Sequence, residues 1–261
     1  RPDMFLPNGW PTYFQFAKGC TIGDLNGNEY KDVSIMGIGT NLLGYGKEVV
    51  DRAVIAAVTN GNMSTLNPPE EVELAERLVA LHPWADMARF ARTGGEANAI
   101  AVRIARAASG KSQVAICGYH GWHDWYLAVN LGGNDALEKH LLPGLEPIGV
   151  PSNLNGLTVS FNHNDIASFN RVMGDDVGVV IMEVQRSNPP TQNFLEHVRK
   201  ITLEKGIVLI FDECTSGFRE TEAGLHLKYG VFPDIAMYGK ALGNGYAIAS
   251  LVGTRAVMEF A

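Results

Sequence analysis

Short apolar stretches separated by turn residues occupy the first part of the chain. The pairs Gly23-Asp24 and Asn26-Gly27 interrupt these stretches within about the first 40 residues. Glycine, asparagine and aspartate readily take the backbone conformations that tight turns require. The pattern therefore predicts a β-meander or hairpin near the N-terminal end of the chain.

The spacing of apolar residues then changes to that of helices. Apolar side chains recur every three or four positions over residues 49–58, and Asn60-Gly61 supplies a stop signal. A second helix is predicted after Pro68-Pro69, with Pro83 beyond its end.

Further along the chain, short apolar runs alternate with helical patterns. Strands are predicted over residues 114–117, 177–182, 207–211, 235–238 and 247–252, and helices over residues 97–108, 165–173 and 194–205. Continuous valine and isoleucine runs separated by helices are typical of a largely parallel sheet that is buried on both faces. We therefore expect an α/β fold, with ligands at the carboxyl ends of the strands.

Composition and charge exclude several classes of function. Hydrophobic residues make up 46% of the chain and charged residues 19%, as in ordinary globular proteins. The net charge of -7 argues against a nucleic-acid partner. The longest aliphatic run, residues 207–211, is too short for a membrane span. The cysteines Cys20, Cys117 and Cys214 form no CxxC pair, which disfavours disulfides and zinc and favours a reduced, cytoplasmic setting.

The first turn with candidate chemistry is Thr93-Gly94-Gly95-Glu96, which leads into the predicted helix at residues 97–108. Paired glycines let the backbone approach a ligand closely, and a helix start offers unpaired N–H groups that bind phosphate. A plain loop, with Glu96 placed to suit the helix dipole, explains the same residues. No nucleotide-binding glycine motif competes with these two interpretations.

The second turn, Gly118-Tyr-His-Gly-Trp-His-Asp, follows the predicted strand at residues 114–117. Tyr119 could stack on a flat heterocycle, and His120 could bond its ring substituents. His120, His123 and Asp124 are an alternative set of metal ligands, but their spacing matches no zinc pattern and we expect no metal. A structural turn rich in aromatic residues remains open.

The third feature is a pair of charged residues that follow predicted strands. Asp212 follows the apolar run at residues 207–211, where a carboxylate requires a cationic partner or hydrogen bonds. Lys240 follows the strand at residues 235–238 and has glycines on both sides. A partly desolvated lysine can present a neutral amine. With a phosphate turn and an aromatic residue, this pair matches what pyridoxal phosphate (PLP) requires of a protein.

Four motifs together resemble the class III (fold type I) PLP-dependent aminotransferases, and are most similar to the glutamate-1-semialdehyde 2,1-aminomutase branch. They are Thr93-Gly-Gly-Glu-Ala, Tyr119-His-Gly, Phe211-Asp-Glu-x-x-x-Gly-Phe-Arg and Gly239-Lys-x-x-Gly-x-Gly. The resemblance covers essentially the whole chain and implies PLP-dependent amino-group transfer, by a transaminase or an aminomutase.

The resemblance also implies catalytic roles for two residues. Lys240 would form the Schiff base with PLP and move the proton between the substrate and the cofactor. Asp212 would pair with the protonated pyridine nitrogen. Glu183, at the end of the predicted strand at residues 177–182, matches an acidic residue near the cofactor or substrate. Arg186 departs from the family pattern and could meet an anionic group of the substrate.

The remaining cofactor-binding residues are likewise implied by the resemblance. Gly94, Gly95 and Glu96 would hold the phosphate through backbone groups at the helix start. Tyr119 would stack on the cofactor ring, and His120 would lie beside it.

The resemblance implies the organisation of the whole protein as well. Residues 1–45 would form an N-terminal segment that belongs to a small domain, and residues 46–261 would form the PLP-binding large domain. The chain begins without Met, and residues 254–261 begin a helix with no stop signal. We therefore expect a truncated chain without its C-terminal small domain. The parent is expected to be a cytoplasmic homodimer that uses a small-molecule amino donor and a keto or aldehyde acceptor.

Two hypotheses from other classes remain. The chain could be a truncated, non-catalytic domain that binds a phosphorylated ligand or a partner protein. A nicotinamide dehydrogenase would also have a parallel sheet, but the candidate turns Gly37-Ile-Gly-Thr and Gly44-Tyr-Gly-Lys lack the third glycine of the dinucleotide motif.

Overall fold

The computed structural model describes residues 11–133, 146–185, 187–191 and 193–261. The chain divides into two compact units. Unit 1 comprises the described residues up to Asn67 together with Gly243–Tyr246, and unit 2 comprises Pro68–Leu242 and Ala247–Ala261. Unit 1 thus extends past residue 45, but the predicted boundary at residues 45 and 46 concerns the domains of the whole protein and stays a prediction.

Unit 1 contains an antiparallel three-stranded sheet, which confirms the predicted meander. Its strands are β1 (Phe14–Lys18), β2 (Thr21–Asp24) and β3 (Glu29–Lys31), in that order. The carboxylate of Asp24 closes the turn between β2 and β3 by accepting hydrogen bonds from the backbone N–H groups of Asn26 and Asn28, both at 2.9 Å.

The helical part of unit 1 follows the sheet. The irregular turn α1 (Met36–Gly39) precedes α2 (Glu48–Asn60), which confirms the first predicted helix. No residue of α2 is buried. Its apolar face therefore lies on the surface of the described chain.

The described residues of unit 2 form seven α-helical segments. They are α3 (Pro69–Leu81), α4 (Gly94–Ser109), α5 (Asp124–Leu127), α6 (Ile166–Val172), α7 (Phe194–Lys205), α8 (His226–Tyr229) and α9 (Arg255–Met258), with short 3-10 turns at Ala128–Gly132, Ser152–Leu154 and Lys240–Gly243. The predicted helices correspond to α3, α4, α6 and α7. Pro69 begins α3 at a position where a backbone N–H is not needed.

A seven-stranded mixed sheet forms the centre of unit 2. Its strands are β4 (Met87–Ala91), β5 (Gln113–Cys117), β6 (Thr158–Ser160), β7 (Val177–Met182), β8 (Val208–Asp212), β9 (Ile235–Tyr238) and β10 (Ala249–Gly253), in the order β4-β10-β9-β8-β7-β5-β6. β10 pairs antiparallel with both β4 and β9, and the other neighbouring pairs of the sheet are parallel. The sheet confirms the predicted fold class. Strands β4 and β6 were not predicted, because β4 contains Arg89 and has no fully buried residue, and β6 has only three residues.

The two faces of the sheet have separate cores. Val179 and Ile181 of β7 pack in a cluster with residues of α4, whereas Val180 and Met182 pack in a second cluster with residues of α6 and α7. Because successive side chains of a strand point to opposite faces, every residue of β7 is buried. Burial on both faces explains the continuous apolar run that identified this strand.

The carboxyl ends of the parallel strands align at one edge of the sheet. Cys117 of β5 pairs with Met182 of β7, Met182 pairs with Phe211 of β8, and Phe211 pairs with Ala236 of β9. The residues that follow these four positions therefore emerge side by side, as the sequence predicted.

Candidate functional site

Asp212 is the last residue of β8, and its carboxylate is 3% exposed. Oδ2 accepts hydrogen bonds from Nδ2 of Asn98 at 2.7 Å and from Nδ1 of His120 at 2.8 Å. Oδ1 accepts the backbone N–H of Cys214 at 3.0 Å. These three donors compensate for the loss of water around the carboxylate. A carboxylate has about four acceptor positions, so one remains for a ligand.

His120 is fully buried, and its hydrogen-bond partner decides which ring nitrogen donates. A carboxylate accepts hydrogen bonds, so Nδ1 of His120 carries the hydrogen that is donated to Asp212. Among the described residues, the buried Nε2 atom of His120 has no hydrogen-bond partner. A buried polar atom without a partner is uncommon and indicates that a ligand or water completes the site.

The predicted phosphate turn forms the start of α4. Thr93 is the N-cap residue, and its Oγ1 atom accepts the backbone N–H of Glu96 at 3.2 Å. The carboxylate of Glu96 accepts the backbone N–H of Arg92 at 2.9 Å. The N–H groups of Gly94 and Gly95 occupy the first two helical positions, where no intrahelical acceptor is available. These N–H groups lie at the positive end of the helix dipole and can bind an anion.

The start of α4 packs closely against two neighbouring segments. A Cβ atom on Gly121 would lie 2.7 Å from Cα of Gly95, and Gly121 has a φ of +101°. A Cβ atom on Gly94 would lie 3.0 Å from Sγ of Cys214, and one on Gly239 would lie 2.9 Å from the same sulfur. Cys214 therefore lies close to both the glycine turn and the Lys240 loop, and a side chain at Gly121 would press on the backbone of Gly95.

Lys240 begins a 3-10 turn directly after β9 and Gly239. Its φ is 45°, in the left-handed region that a non-glycine residue enters at a strain on the order of 1–3 kcal/mol. Nζ of Lys240 donates a hydrogen bond to Oγ1 of Thr215 at 2.7 Å. The strained backbone places the lysine at the same strand edge as Asp212, since Asp212 pairs with Met237 of β9.

Glu183 follows β7 and the second turn follows β5, so both lie at the same edge of the sheet on the side of Asp212 away from β9. Glu183 follows β7 directly and is 7% exposed, and its Oε2 atom accepts the backbone N–H of Tyr119 at 3.1 Å. A Cβ atom on Gly118 would lie 2.5 Å from the same oxygen. The ring of Tyr119 is 39% exposed and contacts the ring of Tyr126 edge-on, at 6.0 Å between centroids. The ring of Tyr119 is thus partly exposed at this edge of the sheet.

The two cysteines near the edge are not poised as nucleophiles. Burial, with a smaller effect of the Asp212 charge, raises the pKa of the Cys214 thiol to about 12. Burial also raises the pKa of Cys117, with a further contribution from Glu183. Both thiols are neutral at physiological pH, and a thiolate is the reactive form.

The structure brings the predicted Gly94, Gly95, Asp212 and Lys240 to one edge, with His120 bonded to Asp212. Glu96 lies at the helix start, but its N–H is engaged by Thr93. Arg186 falls outside the described residues. Within the described ranges there is no group of three or more His, Cys, Asp or Glu residues that could hold a metal ion.

Sequence reasoning missed two polar residues of the site. Asn98 lies on the apolar face of α4 and is 1% exposed, and Thr215 bonds Lys240. The signal for Asn98 was an amide within the alanine-rich, buried face of an amphipathic helix. Thr215 carried no such signal, because an exposed threonine in a turn is ordinary.

Across the described ranges, no helix is both long and apolar enough to cross a membrane.

This arrangement defines an α/β protein with a polar site at the carboxyl edge of a mostly parallel sheet, built around a buried acid and a lysine. Residues 9–261 match the model of the family described as "Aminotransferase class-III", and the chain belongs to that family. The match confirms the family that the sequence motifs indicated.

The named relatives include an aminotransferase and an aminomutase. The 3-aminobutyryl-CoA aminotransferase of Cloacimonas acidaminovorans is 35% identical, with 99% of this chain and 61% of that protein aligned. The glutamate-1-semialdehyde 2,1-aminomutase of Methanococcoides burtonii is 35% identical over 96% of this chain and 60% of that protein. The chain therefore spans about three fifths of the length of these relatives.

Solved structures agree with the fold. A structure described as a transaminase with PLP bound has a TM-score of 0.85 and 28% identity, over 96% of this chain and 59% of that chain. An omega-transaminase from Sphaerobacter thermophilus has a TM-score of 0.84 and 28% identity, over the same shares of the two chains. These likenesses confirm the predicted α/β fold class.

Proposed function

We propose that the protein containing this chain is a PLP-dependent enzyme of amino-group transfer, a transaminase or an aminomutase, with Lys240 as the Schiff-base lysine. The observation that carries the proposal is the placement of Asp212 and Lys240 at the carboxyl ends of the neighbouring strands β8 and β9. The substrates are a small-molecule amino donor and a keto or aldehyde acceptor.

The residues at the edge fit this cofactor. Asp212 has an acceptor position left for the protonated pyridine nitrogen, and its own donors hold the carboxylate in place. The N–H groups of Gly94 and Gly95, which have no intrahelical acceptor, suit a phosphate. When bound, PLP supplies an electron sink for the electrons released at the substrate Cα.

The chain's own groups provide the remaining chemistry. The Lys240 amine would hold the cofactor through its aldehyde and, once the substrate amine had displaced it, would move the proton at the substrate Cα. The Asp212 carboxylate would pair with the pyridine nitrogen and keep it protonated. Tyr119 would cover one face of the ring and His120 would lie beside it, while Glu183 accepts the backbone N–H of Tyr119 and holds it in place. Glu96 stays assigned to the phosphate turn, with its backbone N–H bonded to Thr93.

We also propose a homodimer. Val49, Ile55 and Val58 of α2 are 67%, 64% and 61% exposed, and no residue of this helix is buried. A helix without a buried face has little stability in water, so a second copy of the chain is a natural cover for this surface. Analytical ultracentrifugation of the whole protein tests this, and a monomer at micromolar concentration contradicts it.

The organisation of the whole protein follows the same proposal. Residues 46–261 form the PLP-binding large domain, and residues 1–45 belong with a small domain. Free Cys20, Cys117 and Cys214 support a reduced cytoplasmic location. The net charge of -7 supports the absence of a nucleic-acid partner, and we expect no membrane partner.

The first experiment is a visible absorption spectrum of the whole protein with PLP, followed by borohydride trapping and peptide mapping. We expect an imine band and a label on Lys240. The Lys240→Ala variant should lose both and keep its fold, whereas Lys228→Ala, at an exposed lysine paired with Glu220, should behave as the native protein. A label on another lysine contradicts the assignment. The absence of any band favours the non-catalytic domain that binds a phosphorylated ligand or a partner.

Transaminase and aminomutase activity are separated by the need for a second substrate. A transaminase requires an added keto or aldehyde acceptor for each turnover, whereas an aminomutase converts one substrate to its isomer without net acceptor consumption. Measuring turnover with and without an acceptor therefore decides between the two.

A further inference from the structure

We infer that Thr215 is a positioning residue that orients the Lys240 amine, an inference that rests on the function proposed for Lys240. Oγ1 of Thr215 accepts a hydrogen bond from Nζ of Lys240 at 2.7 Å. Among the described residues, this is the one side-chain hydrogen bond of the lysine amine, and no carboxylate forms an ion pair with it.

The turn that carries Thr215 is held at both ends. The backbone N–H of Cys214 donates to the Asp212 carboxylate at 3.0 Å, and the N–H of Gly217 donates to the backbone oxygen of Glu213 at 2.8 Å. The backbone oxygen of Thr215 itself accepts Nε of Arg219. The same short turn thus presents the Asp212 carboxylate and the Thr215 hydroxyl.

A buried network fixes this turn to the body of unit 2. The Glu213 side chain is fully buried, and it accepts the backbone N–H groups of Leu225 at 3.0 Å and of His226 at 2.9 Å. Nδ1 of His226 donates to Glu213 at 2.8 Å, and Nε2 of His226 accepts Nε1 of Trp84 at 2.9 Å. A hydroxyl on a turn anchored in this way has a defined position, although Thr215 itself is exposed.

The chemistry of a hydroxyl suits the orientation of an amine that must react. A threonine oxygen accepts one N–H and directs the lysine side chain, which otherwise has many rotamers. The hydroxyl is neutral, so it does not form an ion pair with the amine as a carboxylate would. The Cys214 thiol in the same turn is also neutral, because burial raises its pKa to about 12. Thr215 therefore orients the Nζ atom of Lys240 without placing a charged group beside it.

The test compares Thr215→Val, which keeps the shape and removes the hydroxyl, with Thr215→Ser, which keeps the hydroxyl. Competitive acylation of the whole protein by acetic anhydride, before PLP is added, gives the labelling rate of Lys240 relative to Lys228. We expect Thr215→Val to raise this ratio roughly threefold, because the amine leaves its acceptor, and Thr215→Ser to match the native protein. Thr221→Val, which removes a hydroxyl bonded to the backbone of Gly224, is the control.

A second measurement follows the appearance of the imine band after PLP is mixed with each variant. Thr215→Val should slow the band about tenfold, and Thr215→Ser should restore the native rate. An unchanged acylation ratio in both Thr215→Val and Thr215→Ala overturns the inference. If neither the native protein nor any variant forms the imine band, the proposed function fails. The acylation ratio then still decides whether Thr215 orients Lys240.

Discussion

Nδ1 of His120 lies 2.8 Å from Oδ2 of Asp212, and the two side chains are 0% and 3% exposed. The residues are 92 positions apart and emerge after β5 and at the end of β8. The bond fixes which nitrogen of His120 carries a hydrogen, and it fixes the plane of the carboxylate. Asp212 is thus oriented by other residues of the chain.

The first prediction concerns the charge of Asp212. Asp212→Asn keeps the size of the side chain, but its amide has one acceptor oxygen and no charge. We expect the whole protein to bind PLP and to lose about 100-fold or more of its kcat. Steady-state turnover and the visible spectrum measure the two effects. Asp175→Asn, at an exposed acid, is the control, and equal turnover of the two variants contradicts the assignment.

The second prediction concerns the bridge made by Asn98. Its Nδ2 group donates both to Asp212 at 2.7 Å and to the backbone oxygen of His120 at 3.2 Å. Asn98→Ala leaves buried acceptors without this donor and should lower the free energy of unfolding by about 1–3 kcal/mol. Urea denaturation measures this. Asn62→Ala, at an exposed position, should change stability little. An equally small effect of Asn98→Ala would contradict the bridging role of Asn98.

The third prediction compares two glycines with positive φ. Gly110 ends α4 with open space around it, so Gly110→Ala should lower stability by about 1 kcal/mol through backbone strain alone. Gly121→Ala adds a Cβ 2.7 Å from Cα of Gly95, so it must also push the start of α4 aside. We expect a larger loss of stability and weaker PLP binding at Gly121. Thermal unfolding and PLP titration of both variants check this, and equal losses contradict the packing argument.

The fourth prediction concerns stability in acid. Burial lowers the pKa of His82, and a smaller opposing effect comes from the bond to the backbone oxygen of Leu78, which lies 2.6 Å from Nδ1. Because the unfolded chain binds a proton near pH 6.5 and the folded chain does not, His82 lowers stability as the pH falls from about 6.5 through the folded-state pKa. His82→Gln should remove this part of the loss. Urea denaturation at pH 8, 6.5 and 5 compares the two proteins, and parallel pH profiles would exclude a role for His82.

The fifth prediction concerns thiol reactivity. Cys20 is exposed and Cys117 is buried, while Cys214 has a pKa raised to about 12. At pH 7.5 iodoacetamide should modify Cys20 at least about tenfold faster than either other cysteine, because the thiolate is the reactive form and needs access. Mass spectrometry of timed samples measures the rates. All three cysteines should react alike in urea, and rapid labelling of Cys214 in the folded protein contradicts its neutral, shielded state.

Much of the fold could be predicted because its signals are local. The apolar period identified β7 and β9 at their observed bounds and placed α7 correctly. The strand predicted at residues 207–211 is observed one residue later, as Val208–Asp212. Strands β4 and β6 escaped prediction because one is only partly buried and the other has only three residues, so neither has a continuous apolar run.

The sequence by itself determined the family, the parallel strands and the turns that carry Gly94, Asp212 and Lys240, because these depend on residue types at short spacing. Only the tertiary structure decided that Asn98 bonds Asp212 and that Thr215 bonds Lys240. These partners are 114 and 25 residues apart, and they meet only because strand register and helix packing bring them together. No local pattern contains that register, so the contacts that orient the acid and the lysine had to be found in the folded chain.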